Sequence, residues 1–284
     1  MNKLVSHQIV GENIPILCNQ NFLLKANSYK VFQAIPGFHF FINPAIKSSH
    51  DQGRPSNGMF ICVPDCIKSC VTDISPDHWG VQAVVIESAQ SKTLLINSYF
   101  PYDKRNQEDE EDINDLIETL EVIRNIIQGC ECDSVVLAGD LNADYSRNTQ
   151  HANTVKETIE EQHLTAAWDC FEIDFTCTYE REGVSHLSTL DHFYFSERII
   201  DMVSDAGAIH HPDNTSDHEP IYCVLKSIEL TQAVSQPSSI KLRPSWRLAS
   251  KEGKENYKYM LDTELGTVMI PTQMSECHDP HCKN

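Results

Sequence analysis

Short apolar runs separated by polar turns dominate the first 228 residues and predict a strand-rich α/β domain. Only five residues separate two of these runs, Val81–Glu87 and Thr93–Tyr99, so we expect them to pair as a hairpin. The other predicted strands are Ile14–Cys18, Gly58–Val63, Ser134–Gly139, His192–Ser196 and Ile221–Ile228.

One segment, Asp112–Gln128, has the spacing of an amphipathic helix. The acidic run Glu108–Asp112 lies at its start, where negative charge suits the helix dipole, and we interpret this run as a solvated helix end. Gly129 follows, where a glycine C-cap is expected. The apolar positions recur every three or four residues and are Ile113, Leu116, Ile117, Leu120, Ile123 and Ile127.

The composition shifts near Leu230, so we expect one domain over residues 1–228 and a linker-like tail over 229–284. Ser235–Ser239 is typical of a linker, and Trp246–Leu265 could form a short amphipathic helix. Four residues at the end of the tail could ligate zinc, but their spacing is tight and a second pair upstream is absent, which favours an ordinary linker motif. They are Cys277, His278, His281 and Cys282.

Charge and composition exclude several classes of function. The net charge of −19 argues against broad nonspecific affinity for nucleic acid, but a carboxylate cluster that binds Mg²⁺ is itself acidic. No apolar run approaches the roughly 18–20 residues of a membrane span, and the N-terminus lacks the apolar region of a signal peptide. We expect an intracellular protein, nuclear or cytoplasmic and not secreted. Its 11 cysteines are then expected to be reduced, and Cys130 and Cys132 stand too close for a normal disulfide.

A carboxylate and an amide follow the buried strand Ser134–Gly139. In extended backbone Asp140 and Asn142 would point to one face and Leu141 to the other. A carboxylate can orient an attacking water while an amide donates to a phosphate oxygen, so the pair suits phosphodiester hydrolysis. An Asp/Asn turn explains the same residues equally well.

Two further polar motifs stand beside predicted strands. Asp217 can bind a hard cation, and the adjacent His218 can act as a base or as a donor to phosphate. Asp191 could orient His218 in the manner of a triad carboxylate. Each motif alone is weak, because polar loops contain the same residue types.

The order of the motifs is more specific than any one of them. Tyr99-Phe100-Pro101 comes first, followed by Gly139-Asp140-Leu141-Asn142, Leu190-Asp191-His192 and Ser216-Asp217-His218. Over residues 1–228 this succession resembles the endonuclease/exonuclease/phosphatase superfamily, which includes apurinic endonucleases, DNase I and the endonucleases of non-LTR retrotransposons. The resemblance implies a two-sheet α/β sandwich of the DNase I-like type, with its site at the strand ends.

The same resemblance implies a role for each matching residue. Asp140 would align the nucleophilic water, Asn142 would contact the phosphate, and Tyr99 would donate to it. His218, paired with Asp191, would stabilise or protonate around the scissile phosphate.

The implied metal site departs from the family pattern. Asp217 would help to hold Mg²⁺ (or Mn²⁺), but Asn21 stands where the family has a metal-binding Glu, so weaker binding is expected because an amide carries no charge. The family's first strand would precede Met1 and is expected to be missing, which would leave an open sheet edge. Gly53–Gly58 also differs from the family's paired glycines. Together these departures suggest a truncated or decaying copy.

The tail favours the retrotransposon branch. Arg243–Trp246, Tyr257 and the segment Cys277–Cys282 resemble the region that joins endonuclease to reverse transcriptase in such proteins. The resemblance implies a monomeric domain that acts on a DNA target strand, has no membrane partner, and is joined to a reverse transcriptase in full-length relatives.

Three functions remain open at this point. A DNA-nicking endonuclease is favoured by the tail. A small-substrate phosphodiesterase or phosphatase of the same fold is mildly favoured by the acidic charge, and fold alone does not separate the two. A catalytically dead domain is favoured by Asn21 and by the missing first strand.

Overall fold

The computed structural model describes residues 5–11, 14–22, 35–44, 58–102, 110–170, 177–180, 187–211, 214, 216–225, 255, 258 and 259. Contacts divide the chain into two units, Met1–Pro237 and Ser238–Asn284. In the second unit the described positions are helical, whereas the tail's Cys/His cluster lies outside the described residues. Within the described ranges, no helix is both long enough and apolar enough to cross a membrane.

Two six-stranded sheets form the first unit. In spatial order the first sheet contains β13 (Val203–Ala208), β14 (Ile221–Leu225), β1 (Val5–Gly11), β2 (Ile14–Phe22), β4 (Gly58–Pro64) and β3 (Phe38–Asn43). The second sheet contains β5 (Val71–Asp73), β6 (Val81–Glu87), β7 (Lys92–Tyr99), β8 (Ser134–Asp140), β12 (Asp191–Ser196) and β9 (Leu164–Ala166). Neighbouring strands are antiparallel, except for one parallel pair in each sheet, β14 with β1 in the first and β7 with β8 in the second.

Helices and a short ribbon complete the unit. The longer helices are α1 (Glu110–Gly129) and α2 (Gln150–Glu161). The short ones are α3 (Ala167–Cys170) and α4 (Glu197–Ile200), with 3-10 turns at Asp65–Cys70 and Tyr145–Arg147. The ribbon pairs β10 (Tyr179–Glu180) with β11 (Leu187–Ser188).

The alternation of side chains along β8 explains the layers. Val136 and Ala138 belong to a core between the two sheets, whereas Val135 and Leu137 pack on the outer face with side chains of α1 and α2. A strand buried on both faces needs a continuous apolar run, which is why Ser134–Gly139 contains no alternation. The expected two-sheet α/β sandwich is thus confirmed.

The regular apolar segments were predicted closely. Val81–Glu87 is a strand with the expected bounds, and the helix expected over Asp112–Gln128 lies within α1.

Two expectations were wrong. Strand β1 lies between β14 and β2 and pairs with both, so the edge expected to be open is covered. Its sequence, with Ser6, His7 and Gln8 together, has no apolar run that would predict a strand. Cys130 and Cys132 are paired as a disulfide, with Cα atoms 5.4 Å apart, against the expectation of reduced cysteines.

Candidate active site

Three adjacent strands bring polar residues to one edge of the second sheet. Tyr99 at the end of β7 pairs in register with Asp140 at the end of β8, and Asp140 pairs with Asp191 at the start of β12. The first of these pairings needs a glycine, because a Cβ on Gly139 would clash with the Ser98 carbonyl. The sequence thus determines the spacing of Tyr99, Asp140 and Asp191 through backbone pairing.

His218 joins the two carboxylates. Its Nδ1 lies 2.9 Å from Asp191 Oδ2, and its Nε2 lies 3.9 Å from Asp140 Oδ2. Asp191 is fully buried, and only 5% of Asp140 is exposed. One side-chain nitrogen or oxygen atom from each of the three residues lies within 4.8 Å of the others. The expected convergence of Asp140, Asp191 and His218 is therefore observed.

The electrostatics of this cluster favour a protonated histidine. Burial alone would lower the pKa of His218, but the charges of Asp191, Asp140 and Asp217 and the hydrogen bond to Asp191 raise it to about 9. Burial raises the pKa of Asp140, and the charges of Asp191 and Asp217 act in the same direction against the opposing effect of His218. The charge of His218 thus opposes the effect of burial on the pKa of Asp140.

Tyr99 is a neutral donor in this setting. Burial and the charge of Asp140 raise the pKa of Tyr99, while a hydrogen bond with the Asn142 side chain acts in the opposite direction. The hydroxyl therefore keeps its proton at neutral pH and can donate it in a hydrogen bond.

Asn142 reaches the site through a turn. The strand ends at Asp140, and Asn142 has a φ of 48°, so the expected alternation of an extended chain does not apply to it. Its backbone N–H donates to Asp140 Oδ1 at 3.1 Å, and its amide nitrogen donates to the Phe100 carbonyl at 2.8 Å. Asn142 is thus held beside Asp140 through both its backbone and its side chain.

The residues expected to hold a metal are described only in part. Asp217 is half-buried, its carbonyl accepts a hydrogen bond of 2.8 Å from the Glu180 N–H, and its charge acts on both Asp140 and His218. The backbone of Asn21 belongs to β2, but its side chain lies outside the described residues. The carboxylates gathered here are the oxygen donors that Mg²⁺ and Mn²⁺ prefer, so the donor chemistry fits such an ion.

The segment Cys177–Glu180 was missed by the sequence analysis. The Thr178 hydroxyl accepts hydrogen bonds from the N–H groups of Leu190 and Asp191 at 2.9 and 3.0 Å, and the Thr178 carbonyl accepts one from Glu219 at 2.7 Å. The Tyr179 ring packs edge-on against His218, with centroids 4.9 Å apart. The available signal was a short run of residues with strand propensity, which does not indicate its partners.

A cavity adjoins the turn that follows Asp140. Its lining comes from that turn, from α3, and from the segment that includes β11 and the start of β12. The lining residues are Asp144, Tyr145, Ser146, Trp168, Leu187, Ser188, Thr189 and His192.

No family model and no curated protein matches the sequence. Solved structures do match. A 3' phosphatase from Neisseria, bound to a product DNA hairpin, is 14% identical with a TM-score of 0.55, and the match covers 72% of this chain and 86% of that one. An AP endonuclease from Archaeoglobus fulgidus is 16% identical with a TM-score of 0.55, covering 74% and 88%. An AP endonuclease from Leishmania major is 15% identical with a TM-score of 0.53, covering 77% and 86%. The chain thus has the DNase I-like fold of endonuclease/exonuclease/phosphatase proteins.

Proposed function

We propose that the domain hydrolyses phosphodiester bonds with the help of a divalent metal ion, Mg²⁺ or Mn²⁺, and that its substrate is DNA, which it nicks. The observation that carries this proposal is the buried cluster of Asp140, Asp191 and His218, with one side-chain nitrogen or oxygen atom from each within 4.8 Å of the others. A structural ion pair at a sheet edge needs one acid and one base. This cluster has two carboxylates and one histidine, so one carboxylate is available for a reaction.

Asp140 is the group that orients and deprotonates the attacking water. Its raised pKa suits a base that must take up a proton near neutral pH. The Asn142 N–H holds one of its oxygens, which leaves the other, 3.9 Å from His218, facing the cluster.

His218 stabilises the negative charge that develops on the phosphate. It carries a proton because its pKa is raised, and Asp191 holds the ring in one orientation through Nδ1. Nε2 then points its proton towards the carboxylate of Asp140 and the space beside it. Fixed charge of this kind lowers a barrier because it needs no rearrangement during the reaction.

Tyr99 and Asn142 bind the phosphate as neutral donors. Tyr99 keeps its proton, and the Asn142 amide is held beside it by the Phe100 carbonyl. Neutral donors suit a site that already holds three carboxylates, because they add hydrogen bonds without more charge.

Asp217 and Asn21 would hold the metal ion. When bound, the ion supplies positive charge that offsets the charge of the transition state. Asn21 contributes no charge where the family has a Glu, so we propose that metal affinity and activity are reduced in this chain. A domain that has lost activity altogether is the limiting case of the same argument.

DNA is the favoured substrate for two reasons. A structural neighbour of the same fold is bound to a product DNA hairpin. The tail motifs Arg243–Trp246 and Cys277–Cys282 resemble the segment between endonuclease and reverse transcriptase in non-LTR retrotransposon proteins. We therefore propose a monomeric endonuclease of a retrotransposon-derived protein, which is joined to a reverse transcriptase in a longer relative.

Relaxation of supercoiled plasmid tests this function. We expect slow nicking by the natural chain with Mg²⁺ or Mn²⁺, abolished by EDTA and by Asp140→Ala or His218→Ala. Asp133→Asn is the matched control, since Asp133 pairs with Arg198 on the surface, next to the far end of β8. Nicking that survives Asp140→Ala would refute the proposed site.

A small phosphodiester is the second candidate substrate. The charge of −19 favours it, because an acidic surface repels a polyanion more than a small ester. Hydrolysis of bis(p-nitrophenyl) phosphate without plasmid nicking, lost in Asp140→Ala, would favour this candidate over the endonuclease.

A further inference from the structure

His192 directly follows the site residue Asp191 but faces the opposite side of β12. The next residues show this alternation, because Phe193 belongs to the core between the sheets and Tyr194 to the outer face of the second sheet. Only 1% of His192 is exposed. Its ring lines the cavity beside the turn that follows Asp140, but it lies on the face of β12 opposite to the Asp140 cluster. Any effect on a reaction at that cluster must therefore act through a neighbour.

Both nitrogens of the His192 ring have a defined role. Nδ1 accepts a hydrogen bond of 3.2 Å from the Trp168 indole N–H, so the ring proton resides on Nε2. Nε2 donates that proton to the Ala143 carbonyl at 2.9 Å. Burial lowers the pKa of His192 against the opposing effects of its hydrogen bonds to the Ala143 and Thr189 backbone and of the charges of Asp191 and Asp144, so the ring is neutral at pH 7. Tyr145 packs against the ring at 4.8 Å and limits its rotation.

The Ala143 carbonyl belongs to the residue that follows Asn142. The turn from Leu141 to Ala143 leaves β8 with a left-handed residue in its middle, a conformation that needs support. The Leu141 N–H donates to the Leu190 carbonyl at 2.9 Å, and the Asn142 side chain donates to the Phe100 carbonyl. His192 supports the third residue of the turn.

We propose that His192 is a positioning residue, which holds the Ala143 carbonyl and thereby keeps the Asn142 amide and the Asp140 carboxylate in the geometry that the reaction requires. This proposal rests on the proposed function. It couples the two motif segments, because the residue next to Asp191 supports the turn next to Asp140. An imidazole at this position meets two needs at once, because Nδ1 accepts from Trp168 and Nε2 donates to Ala143.

Substitutions at His192 can separate positioning from packing. His192→Phe keeps a ring but removes the donor, whereas His192→Gln keeps an amide nitrogen that can reach the Ala143 carbonyl. In plasmid nicking we expect His192→Phe to lower kcat by about 10- to 100-fold with little change in KM, as for other residues that orient a reacting group. His192→Gln should recover most of this loss.

A double-mutant cycle identifies the residue through which His192 acts. In the Asn142→Ala background, His192→Phe should cause little further loss, because the group that it positions is already absent. An equal loss of kcat in both backgrounds, or a loss that His192→Gln does not reduce, would overturn the proposal in favour of packing alone.

Hydrogen exchange gives a second measurement that does not depend on activity. The Asn142 N–H donates to the Asp140 carboxylate, so its protection reports on the turn. We expect His192→Phe to speed its exchange at least about 10-fold relative to the Leu137 amide of β8, and His192→Gln to leave it slow.

If His192→Phe does not fold, Trp168→Phe, which removes the donor to Nδ1, must speed the same exchange. Unchanged exchange would overturn the proposal. If the natural chain does not nick plasmid but the Asn142 N–H exchanges as expected in the variants, only the proposed hydrolysis is refuted.

Discussion

His218 lies between two buried carboxylates, and this arrangement sets its charge. Asp191 contributes most to raising the pKa of His218, because its oxygen lies 2.9 Å from Nδ1 and is itself excluded from water. The charge of one residue thus depends on a partner 27 positions away in the sequence.

Asp191→Asn should therefore lower the pKa of His218, because burial then acts against fewer opposing charges. The titration of the His218 ring by NMR, in EDTA, measures this change. Asp133→Asn, which removes a surface carboxylate next to the other end of β8, should leave the titration as it is. An unaltered His218 pKa in Asp191→Asn would contradict the assignment of Asp191 as its orienting partner.

The hydrogen bonds of Thr178 stabilise the segment that carries Asp191, and a substitution at Thr178 measures their contribution. Thr178→Val keeps the side-chain shape but leaves the N–H groups of Leu190 and Asp191 without their acceptor. Each buried N–H left in this way costs about 1–3 kcal/mol, so the free energy of unfolding in urea should fall clearly. Thr178→Ser, which keeps the hydroxyl, should lose much less. Equal stability of the Val and Ser variants would show that these hydrogen bonds contribute little.

At the scale of elements, the parallel pairing of β7 with β8 determines where Tyr99 and Asp140 lie. The strands approach so closely at Gly139 that an added Cβ would clash with the Ser98 backbone. A backbone atom cannot move aside as a flexible side chain can, so the pairing itself would have to change.

Gly139→Ala should accordingly lower the free energy of unfolding by more than about 2 kcal/mol, because the clash would strain a central strand of the sheet. Gly129→Ala is the matched control at the end of α1, where a Cβ would have no neighbour within 4 Å. That control should be neutral or slightly stabilising. Similar stabilities of the two variants, measured by urea unfolding, would contradict the close approach.

The elements that the sequence predicted share a regular apolar pattern. β6, β7, β8 and α1 were expected because their buried faces repeat over many residues. β1 has no such pattern, and only its two neighbouring strands determine that it is a strand. Helix α2 was missed although Thr149 caps it, because its buried face has just three residues, Ala152, Val155 and Ile159.

At the scale of the whole molecule, the candidate site was predictable where its residues stand in ordered motifs. Asp140, Asp191 and His218 could be identified in this way, and they meet as expected. The roles of Thr178 and His192 depend on hydrogen bonds between distant segments, such as the bond from His192 to Ala143. No local pattern in one sequence contains that information.

The net charge of −19 predicts a weak salt dependence of DNA binding. The 41 acidic residues of the chain outnumber its 22 Lys and Arg residues, so the chain should neutralise few phosphates, and we expect a slope of log K against log salt no steeper than about −3. Fluorescence anisotropy of a labelled DNA duplex in EDTA, where cleavage is prevented, provides the measurement. A slope steeper than about −6 would indicate a basic surface that the net charge conceals.

The rate of plasmid nicking by the Asn21→Glu variant, measured across a range of Mg²⁺ concentrations, tests metal-dependent hydrolysis at the Asp140 cluster. Restoring the charge should raise the rate above that of the natural chain, most clearly at limiting Mg²⁺, because the ion is then held more tightly. Adding Asp140→Ala to this variant should abolish nicking. A variant that stays silent at every Mg²⁺ concentration, or one that nicks equally well with Asp140→Ala, would contradict metal-dependent hydrolysis at this cluster.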